Sequence, residues 1–351
     1  VSGNRNPGFP VVCRAGFFRH VHTAASKTRA KPITASVVAG LIPFLAGCTD
    51  GPLSALAPAG EAASEIAWIT WVMMIGTLVL MAIMSALGLY AVYGRTRGRG
   101  GPSSRAIIGW GGVMIPALVL VLLLVYGVRT GDSMLPVGEE PMEIRVTGHQ
   151  WWWQFEYPGA DGETFYTANE LHLPVGRPVD IRVESADVIH SFWVPVLGGK
   201  VDAIPGRSNQ IRLRPDRVGP YRGQCAEFCG TQHAHMGFHV EVHEEPDFED
   251  FVEHMTGLDR TEAGPESGRQ AFETHCATCH SRTTYVDGTG PNLASLAERP
   301  YLGAGTLQHT EQALRLWIGR HQQIKPGNHM PDHGDLDEET VEALARYLEA
   351  R

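Results

Sequence analysis

From Ile66 to Val92 the chain runs 27 residues without a charge, and from Ala106 to Val128 it does so again for 23. Few folds accept two such segments. As helices at ~1.5 Å per residue they reach ~40 Å and ~34 Å, more than a hydrocarbon core of ~30 Å needs. The expectation is a transmembrane hairpin over residues 62–130, with spans at about 66–92 and 106–128. Pro116 falls inside the second span, where a membrane helix tolerates it. The connecting stretch "GRTRGRGGPSSR" carries Arg95, Arg97, Arg99 and Arg105, whereas residues 49–94 contain no Lys or Arg. Basic loops stay on the cytoplasmic side, so both ends of the hairpin are expected outside.

The N-terminus agrees with export. Lys27, Arg29 and Lys31 precede the apolar "ITASVVAGLIPFLAGC", the order of a secretory signal. Its ending resembles a bacterial lipoprotein cleavage box, which would make Cys48 the lipidated first residue of the mature chain and 1–48 its signal region. Those residues hold six of the 29 Lys/Arg and no acid; the rest of the chain has 23 basic against 38 acidic, a net of −15. So acidic a body speaks against nucleic acid and leaves basic protein partners open.

Beyond Pro141 the pattern becomes one of short β-type runs. "EIRVTGHQWWWQFEY", "PVDIRVES", "HSFWVPV", "NQIRLRP" and "FHVEVH" are separated by turns such as "PGADGE" and "IPGR". Regular short strands with Gly/Pro turns predict an all-β sandwich or barrel, here over 138–245. Residues 246–263 read as a linker with a short helix in "DFEDFVEHM". The remainder, 264–351, opens on a helix ending in "CATCH" and closes on "DEETVEALARYLEA", with Asp337 as candidate N-cap.

"CATCH" fits C-x-x-C-H, the attachment signature of c-type haem. Cys276 and Cys279 lie one helical turn apart, so both thiols can bond the same haem, and His280 reaches the iron. Met330, in "KPGNHMP", is the candidate sixth ligand; a thioether with an imidazole suits electron transfer rather than oxygen chemistry. His321, His329 and His333 read as solvated loop residues. This segment resembles a class I cytochrome c. The likeness implies a helix crossing between Gly268/Phe272 and Tyr347/Leu348, and a Pro291 carbonyl that orients His280.

A second constellation is "GQCAEFCGTQHAHMG", Gly223 to Gly237. Zinc rarely takes Met, and a Cys225–Cys229 disulfide would leave His and Met without a task. Thiolate, thioether and imidazole together favour copper. A single blue-copper ion uses one Cys, so two suggest more than one copper. The missing histidine is available as His190 in "DVIHSFWVP".

Taken with the two spans, "GHQWWWQFEY" and "KVDAIPGRSNQ", these motifs resemble subunit II of the haem-copper cytochrome c oxidases over Ile66 to Val242. The appended cytochrome makes the chain similar to the caa-type enzymes. The resemblance implies a cupredoxin-like barrel holding a dinuclear CuA centre. Cys225 and Cys229 would bridge two coppers, His190 and His233 would bind one each, and Met236 and the Glu227 carbonyl would be weak ligands. The Glu227 carboxylate would face a magnesium ion at subunit I. Trp151 would carry electrons in from the cytochrome, and Asp202, Gly206 and Arg207 would face subunit I. Trp152 and Trp153 are expected to pack on alternate sides of a strand. His235, His239 and His243 have no such role.

One position departs from the family: Gly109 stands where many members carry Glu at a proton-channel mouth. Oxygen reduction and proton translocation would belong to subunit I. Further implied partners are subunit III and an upstream donor, a cytochrome or a cytochrome bc-type complex, at a bacterial inner membrane with both cofactor domains on the periplasmic side. Two alternatives remain open, a CuA module of another terminal reductase and a copper-delivery protein. The cytochrome segment from Gly264 has a net charge of −4 and residues 132–245 one of −8. Like-signed domains do not steer each other, so docking is expected to be mainly apolar and dependent on the tether.

Overall fold

The computed structural model describes residues 51–94, 103–133, 140–159, 162–285 and 288–351, without the side chains of 132 and 133. The expected signal region with Cys48, and Arg95, Arg97 and Arg99 of the basic loop, lie outside these residues. Helices α1 (Glu61–Tyr93) and α2 (Ser104–Gly131) are both long and apolar enough to cross a membrane. Among the described residues nothing covers their apolar stretches, and Leu80, Met81, Leu120 and Leu124 are each more than half exposed. Apolar surface on this scale calls for lipid or partner helices. Gly109 lies in a π-helical stretch, Ile107–Met114, near the start of α2.

The segment ahead of α1 is pinned to the β domain. Ala59 N–H donates to the Val196 carbonyl (2.7 Å), and its own carbonyl accepts from Asp216 N–H (2.9 Å). Helix α1 therefore starts on the β domain, and α2 precedes that domain in the chain.

The β domain has ten strands: β1 (Met142–His149), β2 (Trp152–Pro158), β3 (Thr164–Ala168), β4 (Glu170–Pro174), β5 (Val179–Ser185), β6 (His190–Trp193), β7 (Lys200–Ala203), β8 (Asn209–Leu213), β9 (Gly219–Gln224) and β10 (Gly237–His243). They form a five-stranded sheet, β3-β2-β1-β5-β8, a three-stranded sheet, β4-β10-β9, and the pair β6-β7. Of these ladders, β1 with β5 and β4 with β10 run parallel. Alternation decides the faces: Met142, Ile144 and Val146 of β1 point inward, while Glu143 and Arg145 point out. Trp153, Phe192 and Phe238 meet edge-on or stacked at 5.2–5.9 Å in the core, pairs worth about 0.5–1.5 kcal/mol each beyond their burial.

The architecture is cupredoxin-like, but the expected barrel does not close. Among the described residues no ladder joins the two larger sheets, so the domain is an open sandwich. One exposed edge is covered instead of paired: Tyr166 N–H of β3 donates to the Thr284 carbonyl of the C-terminal domain (2.7 Å).

The linker segment is less free than its composition suggests. Helix α3 (Glu245–Met255) buries Phe248 and Met255 in the β-domain core. The C-terminal domain then has α4 (Glu266–His275), a short ladder of β11 (Tyr301–Leu302) and β12 (Leu307–Gln308), α5 (Glu311–Ile324) and α6 (Glu338–Glu349). Helices α4 and α6 cross at Gly268, where a Cβ would lie 2.3 Å from the Ala343 carbonyl. Only glycine permits that approach, and Phe272 and Tyr347 close the crossing with rings 5.5 Å apart. Asp337 caps α6 through Thr340 N–H (2.7 Å). Buried Arg282 ties the CATCH loop to the end of α6 through the Tyr347 and Leu348 carbonyls.

Candidate metal centre

Three pieces of chain converge at one end of the sandwich. β6 opens on fully buried His190, β9 delivers Cys225, and the turn before β10 supplies His233 and Met236. Backbone bonds fix the loop at both ends: Cys225 N–H donates to the Met236 carbonyl (3.0 Å), and Ala226 N–H to that of Ser191 (2.9 Å).

The two sulfurs are 3.8 Å apart. A disulfide needs about 2.05 Å. Metal–thiolate bonds of about 2.3 Å would let one ion touch both sulfurs. The remaining donors divide into two halves. Cys225 Sγ has His190 Nδ1 at 4.0 Å and the Glu227 carbonyl at 3.3 Å. Cys229 Sγ has His233 Nδ1 at 3.6 Å and Met236 Sδ at 3.7 Å. Each sulfur thus has its own imidazole and its own weak donor. Soft donors gathered in a largely buried pocket, with no carboxylate among them, fit copper. Glu227 and Phe228 project outward between the cysteines, both exposed.

Proton placement favours the same end. The contacts with Cys229 and His190 hold the Cys225 thiol well below the usual thiol range against its burial, while Cys229 is raised. Burial opposes charge on His190, but the bonds to Asp187 and Cys225 and the charges of both partners together outweigh it and raise the imidazole. His190 Nε2 donates to Asp187 (2.7 Å), leaving Nδ1 for the sulfur side; such carboxylate partners orient ligating histidines. Asp187 also accepts the Gln150 and Val188 N–H groups, each at 2.6 Å. Sequence reasoning misses Asp187, although its i−3 placement before His190 is a usable signal. His235 bonds Gln232 (2.7 Å), away from the sulfurs.

The second site is a cavity of about 500 Å³ lined by Cys276, Cys279, His280 and Met330, with apolar walls from Leu314 and Ile318. That size suits a cofactor. His280 Nδ1 donates to the Pro291 carbonyl (2.7 Å), which frees Nε2. Gly290 leans on this ring so closely that a Cβ would sit 2.9 Å from His280 Cε1. The donor set and the bare thiols fit a c-type haem. His321 is not the solvated residue its sequence context suggests. It is fully buried in α5, donates from Nε2 to the Pro331 carbonyl (2.9 Å) and holds Asn328 through Nδ1 (3.1 Å), so it anchors the Met330 loop.

Trp151 joins the two sites. It lies in the turn between β1 and β2, is 7% exposed, and donates from Nε1 to the Cys229 carbonyl (3.0 Å). Its ring is 5.2 Å from that of His329, beside Met330. Trp153 points into the core, while Trp152 stacks on His149 at 4.3 Å and lines the haem cavity.

The interface between the domains is polar, contrary to the apolar docking expected from net charge. Buried Arg299 of the cytochrome domain faces buried Glu170 of β4 at 3.5 Å. Burial raises Glu170 to about 7 despite Arg299. Arg222 lies over the Tyr301 ring, and Gln232 Nε2 donates to the Pro326 carbonyl (2.5 Å). Domain sums average away these local cations.

Comparison with known proteins gives a consistent result. Residues 160–243 match the family "Cytochrome C oxidase subunit II, periplasmic domain". Residues 263–348 match "Cytochrome C oxidase, cbb3-type, subunit III". The chain is 36% identical over 329 residues to cytochrome c oxidase subunit 2 of Alkalihalophilus pseudofirmus, covering 87% of this chain and 93% of that one. It is 29% identical over 343 residues to that of Bacillus subtilis, covering 88% and 94%. A crystal structure of the periplasmic domain of subunit II from Bradyrhizobium japonicum is 35% identical, covering 34% of this chain and 95% of that one, with a TM-score of 0.32.

Proposed function

The chain belongs to the cytochrome c oxidase subunit 2 family, and from that premise we propose the route by which its residues bring electrons into the oxidase. It is a subunit of an oxidoreductase complex, a membrane protein with an outer-side domain that carries a CuA-type copper site and a fused cytochrome c domain. Bound at these two sites, haem c and copper supply one-electron redox chemistry.

The proposed path starts at the cavity of Cys276, Cys279, His280 and Met330, crosses Trp151 and ends at the Cys225–Met236 loop. From there electrons go on to the haem of subunit I, which reduces oxygen and translocates protons. Trp151 supports this path because it touches both sites at once. The chain's own task is to keep each donor fixed through a redox cycle. Asp187 holds His190, Pro291 holds His280, and His321 and Asn328 hold the Met330 loop.

We read the copper site as dinuclear. The observation that carries this is the division of donors, one imidazole and one weak ligand for each sulfur. The exposed Glu227 carboxylate supports a magnesium ion shared with subunit I. The two bare apolar helices support a double-spanning anchor in the inner membrane, packed against subunits I and III. An upstream cytochrome or bc-type complex would reduce the fused haem. A copper-delivery role is disfavoured because carriers need open sites and this one is largely buried. The test is metal analysis with EPR on the purified oxidase. Two coppers in this subunit sharing one unpaired electron are expected, and a hyperfine pattern from a single copper would refute the dinuclear site.

A further inference from the structure

We propose that Lys325 is a positioning residue, latching the Met330 loop onto Trp151 so that the fused cytochrome is held in its electron-transferring pose. The proposal rests on the Trp151 route above. Lys325 is the C-cap of α5, five residues before Met330, and is 4% exposed. Its ammonium donates to the carbonyls of Trp151 (2.7 Å), His235 (2.8 Å) and Gly303 (3.3 Å). Three donors meet three acceptors. Two of the acceptors belong to the copper domain and one to the cytochrome domain.

A buried lysine normally faces a carboxylate. This one is satisfied by backbone alone, so its bonds depend on the geometry of both domains together. The carbonyls it bridges are functionally placed. One belongs to the residue read as the electron path. Another lies between His233 and Met236, the two donors of Cys229. The next residue, Pro326, is gripped by Gln232 of the copper loop, and His329 rests on the Trp151 ring. Separating the domains returns the ammonium to water. Removing the ammonium while the domains stay together takes a donor from the buried Trp151 carbonyl and the partly buried His235 carbonyl, which is costly, whereas the Gly303 carbonyl keeps the Thr306 hydroxyl (2.6 Å).

The test is amide hydrogen exchange on the complete oxidase, comparing the native enzyme with Lys325→Met and Lys325→Gln. Two backbone bonds report docking directly: Tyr166 N–H to the Thr284 carbonyl (2.7 Å) and Gly237 N–H to that of Ala304 (3.1 Å). In Lys325→Met, exchange at both should rise about ten- to hundredfold, the equivalent of one charged hydrogen bond. Amides of β1, paired on both sides within its own sheet, should not change. Lys325→Gln, which still donates, should show a smaller rise, and internal electron transfer in Lys325→Met should slow and become dependent on solvent viscosity. Unchanged protection at Tyr166 and Gly237 overturns the latch, as does a rise shared equally by β1, which would mean general loosening. Exchange does not depend on which residue carries the electron. A failed latch therefore leaves the Trp151 route standing, and a failed Trp151 variant leaves the latch standing.

Discussion

Replacing Trp151 by Phe should slow internal electron transfer from the fused haem to the copper site on the order of a hundredfold, with both optical spectra intact. The indole touches both halves. Its Nε1–H reaches the Cys229 carbonyl at 3.0 Å, and its ring lies 5.2 Å from His329. Phenylalanine keeps much of the packing but loses the bond to the cysteine loop and the wider ring. A displacement near 1 Å between groups that must stay aligned can cost on the order of a hundredfold. Flash photolysis of the reduced enzyme measures the step directly. His329→Ala, which leaves the indole bond untouched, should have a smaller effect. Equal rates in the native and Trp151→Phe enzymes would remove Trp151 from the path.

Cys225→Ser should cost more. The Cys225 sulfur has His190, the Glu227 carbonyl and Cys229 around it, and a serine oxygen is a poor substitute for the thiolate that would hold copper. Even outer residues that only orient a ligand are worth about 10–100-fold in metal affinity, so loss of a direct ligand should exceed about a hundredfold. The variant should lack the copper EPR signal, consume almost no oxygen, and keep a normal haem c that stays reduced in the presence of donor. The haem pocket shares no ligand with the copper loop, which makes its spectrum the internal control for folding. Retention of a native copper signal would mean that Cys225 is not a ligand.

How far these sites are legible in the sequence depends on how far apart their parts lie in the chain. Cys225, Cys229, His233 and Met236 sit within one loop, and Cys276, Cys279 and His280 within one turn, so their spacing is readable. His190 comes from 35 residues upstream and needs a family likeness to select it. Trp151 is visible as a residue but not as a turn. The run "EIRVTGHQWWWQFEY" reads as one strand, and the chain reverses at Gln150–Trp151 with no Gly, Pro or Asn at the corner itself. Contacts such as Lys325 to Trp151 and Arg299 to Glu170 join residues more than a hundred positions apart. Pattern and spacing carry no signal over that range. Net charge misleads about docking because a sum over a domain says nothing of which charges face the neighbour. The open sandwich, too, is beyond alternation, which assigns faces to strands but not the closure of sheets.

The most direct measurement is the order in which the metal groups fill when a fast one-electron pulse reaches the fully oxidised oxidase from a donor outside. Haem c should be reduced first, and the copper signal should then change at the same rate as haem c is reoxidised. Copper reduced at the donor's own rate, with haem c lagging or silent, would contradict the route from the fused cytochrome through Trp151.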